Sequence, residues 1–303
     1  MLLFGGTGRT GQVMHRVARA TGWQVVAPAH AECDLLQSEY VSDCVLGSGA
    51  DLVVNCAAIS GLEACLDDPL SAHLVNAVAP AAMALACRHT GARFVHLSTD
   101  YVLEGHRSGL KEERSRCKPI NVYDESKKEG ELQVLEALPQ ALILRVSWVC
   151  GNPYLPSFVE TTLRKALAGE ELAAIADKFS LPTDAEDIAR VVLALADRRV
   201  SGVLHVCSVG APMSWYDCAC TALEHAARLG AVSTVPRGER QLLAHASFFR
   251  EPRPRHTSMS TVRLRGLGVD MPSAQQTLCR VTERYLLHAC RNNYGSFPIC
   301  QQI

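Results

Sequence analysis

The chain has 303 residues, 48% hydrophobic and 20% charged, with a formal net charge of −1, which suits one large or two modest globular domains. A balance so near zero gives nucleic acid and anionic membrane no electrostatic hold, so neither is expected as a partner. The amino terminus lacks the pattern of an export signal, no apolar run reads as long enough to cross a bilayer, and a cytoplasmic location is expected. Thirteen cysteines are scattered without a C-x-x-C pair; they read as reduced core thiols. No ligand cluster for a metal is found and none is expected.

Residues 2–5 form a short apolar run that feeds GGTGRTG, with Gly5, Gly8 and Gly11 at three-residue spacing. Residues 13–20 then carry an apolar stripe at helical period. A strand, a glycine turn and a helix form the unit that binds a dinucleotide: glycines admit the pyrophosphate to the backbone, and N–H groups at the helix start hold its charge. A second strand is expected over 24–27, ending at Pro28-Ala29-His30. That end has neither an acid for the ribose hydroxyl of NAD nor an arginine for the phosphate of NADP, so NADPH and NADH both stay open. Asp34 and Leu35 read either as adenine neighbours or, for Asp34, as the cap of a helix over 38–46.

A third strand, 51–55, ends in the small residues Cys56, Ala57 and Ala58, which leave room for a flat cofactor over the sheet. One long alanine-rich helix is expected over 69–89, with Asn76 facing a neighbouring backbone or the site. The fourth strand, 93–97, delivers Ser98 and Thr99 at its carboxyl end, followed by Asp100 and Tyr101. A helix-compatible segment then brings Tyr123 and Lys127, four residues apart and so on one face. A phenol ionises near pH ~10, and a cation held nearby lowers that value. With a hydroxyl from the strand end bonded to the same substrate oxygen, the result is a proton donor aimed at a carbonyl beside a nicotinamide. The fifth strand is 141–146.

Alternation of strand and helix through residue 146 predicts an α/β, Rossmann-type doubly wound parallel sheet. Beyond it the pattern breaks, although 184–196 reads as a helix and 202–207 as a buried strand. The division expected is 1–146 plus 183–209 as the dinucleotide-binding domain, with 147–182 plus 210–303 as a smaller substrate-binding cap. The basic stretch 250–255 suits a phosphate-bearing small molecule.

These residues together resemble the extended short-chain dehydrogenase/reductases, most closely the dTDP-4-dehydrorhamnose reductase family. The resemblance covers nearly the whole chain, through GGTGRTG, VVNCAA, VHLSTDYVLEG, INVYDESKKEGE, LILRVSWVCG, DKFSLPTDAEDIA, GVLHVC followed by SWYD, and RPRHTS. It implies reduction of the C4 keto group of a nucleotide-activated 6-deoxysugar by NADPH or NADH. Thr99 would orient the carbonyl, Tyr123 donate the proton, and Lys127 bind the nicotinamide ribose and lower the tyrosine's pKa. The cofactor set so implied is Gly5, Thr7, Gly8, Arg9, Thr10, Gly11, Asp34, Leu35, Cys56, Ala57, Ala58, Asn76, Tyr123 and Lys127. For the sugar nucleotide it is Ser98, Thr99, Asp100, Tyr101, Trp148 and Arg253. A homodimer is possible.

Three departures from the family pattern bear on the sugar more than on the chemistry. Asp124 and Glu125 follow the tyrosine where Gly is common, and are expected to be solvated. Ala64 stands where a lysine can occur, and His256 where Asn is usual. Two other readings share the scaffold. An epimerase or dehydratase is one, though elimination is disfavoured because Tyr101 stands where a dehydratase has its second acid. A non-catalytic NADP-binding subunit, like the regulatory subunit of methionine adenosyltransferase, is the other.

Overall fold

The computed structural model describes residues 1–232 and 238–292; the end of the expected cap, 293–303, lies outside the described residues. In chain order the first half is β1 (Leu2–Phe4), α1 (Arg9–Ala20), α2 (Ser38–Gly47), β2 (Leu52–Asn55), α3 (Leu62–Asp67), α4 (Pro69–His73), α5 (Ala79–Thr90), β3 (Arg93–Thr99), α6 (Val122–Ala137) and β4 (Leu142–Val146). The second half is β5 (Val149–Cys150), α7 (Phe158–Leu167), β6 (Ala173–Ile175), β7 (Phe179–Ser180), β8 (Thr183–Asp184), α8 (Ala185–Leu195), β9 (Gly202–Val206), β10 (Met213–Ser214), α9 (Trp215–Arg228), β11 (Glu239–Gln241), α10 (Val262–Gly266) and α11 (Ala274–Arg291).

Five strands form one parallel sheet in the order β1-β2-β3-β4-β9, with Leu3 beside Val54, Asn55 beside His96, and Ile143 between His96 and Val203. The strands are short apolar runs buried on both faces, as a parallel sheet covered by helices requires. Met14 of α1, Ile188 and Val192 of α8 and Leu264 of α10 cover one face. Val41 of α2, Met83 of α5 and Val134 of α6 cover the other. The doubly wound α/β fold is therefore present. A third cluster joins α7, α9 and α11 through Leu163, Cys218, Leu278 and Leu286. We propose the division at 146, 182 and 209 with one refinement: Leu264 and Met271 pack into the sheet's own cluster, so this stretch sits with the first unit.

Some elements differ from expectation. Residues 24–27 make a single parallel bridge, Val26 to Leu2, and no strand. Leu3 N–H donates to Val26 C=O at 2.8 Å and Val26 N–H to Met1 C=O at 3.0 Å. Val26 is 61% exposed and Pro28 follows, so nothing on the outer side extends the ladder. The helix expected over 69–89 is broken into α4, a π turn at Leu74–Val78, and α5. Pro80 has no N–H to return to the carbonyl of Asn76, and the backbone takes the wider turn there. That carbonyl lies against α6, where a Cβ on Gly130 would come within 2.2 Å of it. Contrary to expectation, Pro69–Thr90 is long and apolar enough by length and composition to cross a membrane; in the fold it packs between α2 and α6. Among the described residues eleven cysteines are free thiols, but Cys290 is disulfide-bonded, which corrects the uniformly reduced reading.

Candidate active site

A cleft of about 620 Å³ opens beyond the carboxyl ends of β1, β2, β3 and β4. The chain steps from β1 outward to Val26 and then back to β2 on the other side, so the cleft lies at the topological switch point. At its head is the glycine turn. Gly8 N–H donates to Gly5 C=O at 2.9 Å, and a Cβ on Gly11 would stand 1.9 Å from that same oxygen. Gly8 is the N-cap of α1, with no side-chain cap and no acid in the first turn. Its free N–H groups therefore suit an anion, and Gly8, Arg9 and Thr10 line the cleft. The turn fits a dinucleotide pyrophosphate.

The other expected cofactor residues divide. Cys56 and Ala58 line the cleft, while Gly5, Thr7, Gly11 and Ala57 shape the turn and the strand end behind it. Arg9 is committed to the cap loop, donating to Leu155 C=O at 2.9 Å and Pro156 C=O at 3.1 Å. Asp34 accepts from Leu36 N–H at 3.0 Å, whereas Gln37 is the N-cap of α2. Leu35 packs in the core between α2 and α5. Neither lines the cleft. Asn76 is fully buried and spends its amide on Ile59, accepting its N–H and donating to its C=O at 2.9 Å each, and on Ser126 Oγ at 3.0 Å. It clamps the loop after β2 to α6.

Thr99, Tyr123 and Lys127 meet on the cleft floor. Thr99 caps the turn Asp100–Val102, its Oγ1 accepting from Tyr101 N–H at 3.2 Å and donating to Asp100 Oδ1 at 3.3 Å. Tyr123 starts α6, whose N-cap Asn121 accepts from Asp124 N–H at 2.8 Å. Burial pushes the Tyr123 phenol well above its usual range, and its hydrogen bond with the Thr99 side chain pulls it back down in part. Lys127 Nζ donates to Leu97 C=O at 2.7 Å and lies 3.3 Å from His96 Nε2. Burial draws Lys127 down to about 8.

Ser98 lines the cleft, yet its hydroxyl donates to Glu131 Oε1 at 2.7 Å. Glu131 also takes Nε and Nη2 of Arg145, both at 2.7 Å, with both side chains almost fully buried. A period of two along β3 sends Ser98 and Thr99 to opposite faces, one to the frame and one to the chemistry. Sequence reading missed this pair, and it missed Lys178 as well. Lys178 is fully buried, donates to Pro254 C=O at 2.6 Å, and lies 4.3 Å from the Tyr101 ring centre. Beside it, Asp100 Oδ2 accepts from Ser180 Oγ at 3.0 Å and from Thr257, so Asp100 is a buried tie between β3 and the cap. The DKFSLPT and RPRHTS motifs were the signal for this network. Asp124, expected to be solvated, is completely buried; its Oδ1 has no partner among the described residues, and burial pushes it up to about 7.

Trp148 lines the cleft with φ +39°, the one non-glycine in the left-handed region among the described residues. Such a backbone costs roughly 1–3 kcal/mol and persists only when its surroundings fix it. Here Thr183 N–H donates to Trp148 C=O at 3.3 Å and Thr183 Oγ1 to Ser147 C=O at 2.6 Å. The indole N–H is buried without a partner, and the ring leans on Trp215 at 5.8 Å. Arg253 goes elsewhere: it forks onto Glu63 at 2.8 and 3.1 Å, covers the Phe249 ring at 3.5 Å, and is absent from the cleft wall.

A parallel sheet with a glycine turn at its head and a Thr/Tyr/Lys floor at its strand ends defines a Rossmann-type short-chain dehydrogenase/reductase. Within that class the chain belongs to the family described as the RmlD substrate binding domain, whose model matches residues 1–287. It is 32% identical over 271 residues to the dTDP-4-dehydrorhamnose reductase of Mycolicibacterium smegmatis, covering 89% of this chain and 80% of that one. With the Escherichia coli enzyme of the same name it shares 35% over 241 residues, 76% of this chain and 79% of the other. The crystal structure of the Bacillus anthracis dTDP-4-dehydrorhamnose reductase in complex with NADP superposes with a TM-score of 0.84 at 26% identity. That match covers 92% of this chain and 96% of the other.

Proposed function

We propose that this protein reduces the C4 keto group of a nucleotide-activated 6-deoxysugar, a dTDP-4-dehydrorhamnose-like substrate, using NADPH or NADH, in the cytoplasm and as a homodimer. The observation that carries the reading is the floor of the cleft, where Thr99, Tyr123 and Lys127 meet below a turn suited to a pyrophosphate. The nicotinamide supplies the hydride when bound. Thr99 holds the carbonyl oxygen, and Tyr123 gives its phenolic proton to that oxygen as negative charge develops there. A high phenol pKa keeps the proton in place until the alkoxide, a stronger base, forms. The backbone N–H groups of Arg9 and Thr10 hold the cofactor at its pyrophosphate, Gly8 leaves room for it at the turn, and Trp148 offers a ring face and an N–H to the sugar.

Relatives named dTDP-4-dehydrorhamnose reductase, matched across most of both chains, support this substrate class. The non-catalytic reading is not favoured, because all three floor residues line one cleft. The test is nicotinamide oxidation with dTDP-4-keto-6-deoxyglucose, with and without an epimerase. Loss of absorbance that depends on the epimerase supports the rhamnose series. Tyr123→Phe should lower turnover by about 10²–10⁴-fold while NADPH affinity holds. Turnover retained in that variant removes the assignment.

A further inference from the structure

Behind Lys127 lies a buried chain whose hydrogen-bond polarity is fixed at one end. Asn55 ends β2 and pairs in register with His96 of β3, and both are fully buried. Asn55 Oδ1 lies 2.9 Å from the backbone nitrogen of Ala57. A backbone N–H only donates, so the atom facing it must be the amide oxygen. Asn55 Nδ2 then faces His96 Nδ1 at 3.1 Å, and an NH₂ group also only donates, so Nδ1 is the acceptor. His96 is held neutral, because burial and the nearby Lys127 both push it well below its usual range. Its single ring proton is therefore on Nε2, the atom 3.3 Å from Lys127 Nζ.

An ammonium has three donors and no lone pair. Set against an Nε2–H it meets a donor with a donor. An amine in the same place accepts that proton and still donates to Leu97 C=O at 2.7 Å.

We propose that Asn55 and His96 are positioning residues for the reduction: they present an N–H to Lys127 and so favour its amine form over its ammonium form. The proposal rests on the reductase reading above and deepens it. After Tyr123 gives up its proton, the phenolate must be restored. An ammonium at Lys127 that is opposed by His96 is the better acid for this. The N–H bond at Lys127 breaks, a proton passes to the phenolate oxygen, the amine left behind accepts His96 Nε2–H, and solvent later returns a proton to Lys127. The other charged neighbour of Lys127 is Glu131, one turn along α6, which acts in the opposite direction. Cys56 at the end of β2 stays a neutral thiol, burial holding it up to about 12, and Tyr123 lies one turn before Lys127.

Two readouts test this without relying on turnover. In two-bond ¹H–¹⁵N spectra of histidine-labelled protein, assigned with His96→Phe, His96 should show the proton on Nε2 and stay neutral from pH 6 to 9, a window chosen around the usual histidine range. In Asn55→Asp the carboxylate accepts from both Ala57 N–H and the ring, so the proton should move to Nδ1. With ¹³C-labelled lysine, the Lys127 midpoint should rise by about one unit in His96→Phe, and the alkaline limb of kcat should follow it. A proton on Nδ1 in the unsubstituted protein overturns the proposal. So does a Lys127 midpoint unmoved in a folded His96→Phe, which would mark the residue as packing only. If that variant does not fold, the tautomer and its reversal in Asn55→Asp still decide. An Nε2 proton and a shifted midpoint in a protein inert toward every ketosugar would support the relay and remove the reductase reading instead.

Discussion

Substituting Glu131 is the sharpest test of how the catalytic strand is held. Its carboxylate takes two bonds from Arg145, one from Ser98 and one from Lys128, and the Glu131 and Arg145 side chains are 1% and 2% exposed. Glu131→Gln keeps the shape but leaves a guanidinium buried with no counter-charge, which costs about 3–5 kcal/mol. In a chain of this length that is a melting temperature lower by roughly 5–10 °C, or the equivalent shift in a urea midpoint at pH 7. Burial pushes the carboxyl of Glu131 up, but Arg145 outweighs it and the net shift is downward from 4.5. The pair therefore stabilises fully above that range and loses its contribution as pH falls below it, so the gap to the variant should close in acid. Glu131→Leu with Arg145→Met should recover most of the loss, since no charge remains to be solvated. A loss under about 1 kcal/mol in Glu131→Gln would refute the claim that this pair is desolvated. The same variant removes a negative neighbour of Lys127, so the alkaline limb of the activity should move below about 8.

Three further outcomes are expected. Gly11→Ala, whose Cβ would stand 1.9 Å from Gly5 O, should abolish NADPH binding in a fluorescence titration, because a backbone oxygen cannot give way as a side chain can. Asp124→Asn should be more stable than the unsubstituted protein in urea at pH 8. Burial raises that carboxyl from 3.8 to about 7, so its contribution is full below 3.8 and is lost as pH rises through 7. The gain is at most about 4 kcal/mol, and equal stability at pH 8 would mean that Asp124 ionises freely. Glu63→Gln should loosen Arg253 and raise the mobility of the Phe249 ring stacked on it, read by ring relaxation in NMR.

The order of strands and the floor of the site were legible because they are local. A run of buried strand residues, a glycine turn and a Tyr/Lys pair at helical spacing each lie within a dozen residues. What escaped depends on partners far away in the chain. The motifs around Lys178 and Pro254 are each visible, but nothing in the sequence says that the two meet across 76 residues, and nothing near Asp124 shows the burial that denies it water. Ser98 looked like Thr99 in sequence, but adjacent residues on a strand face opposite ways, and only packing decides which face meets the substrate. Pro80 did signal a break in its helix. The wider turn it produced reflects the tertiary fit with α6.

That fit sets a mechanical tolerance. The helix bearing Tyr123 and Lys127 rests on the bare carbonyl of Asn76, with only the hydrogen of Gly130 between them. Glycine 130 acts as a gauge for the working height of the phenol above the sheet. A methyl there would force the two backbones apart by about 1 Å, and Tyr123 lies about 10 Å further along the helix axis, where a tilt is felt as displacement. Misplacement of that size in a reacting group costs about 10²-fold in rate. The smallest residue on α6, remote from substrate, thus calibrates the aim of the largest one in the reaction.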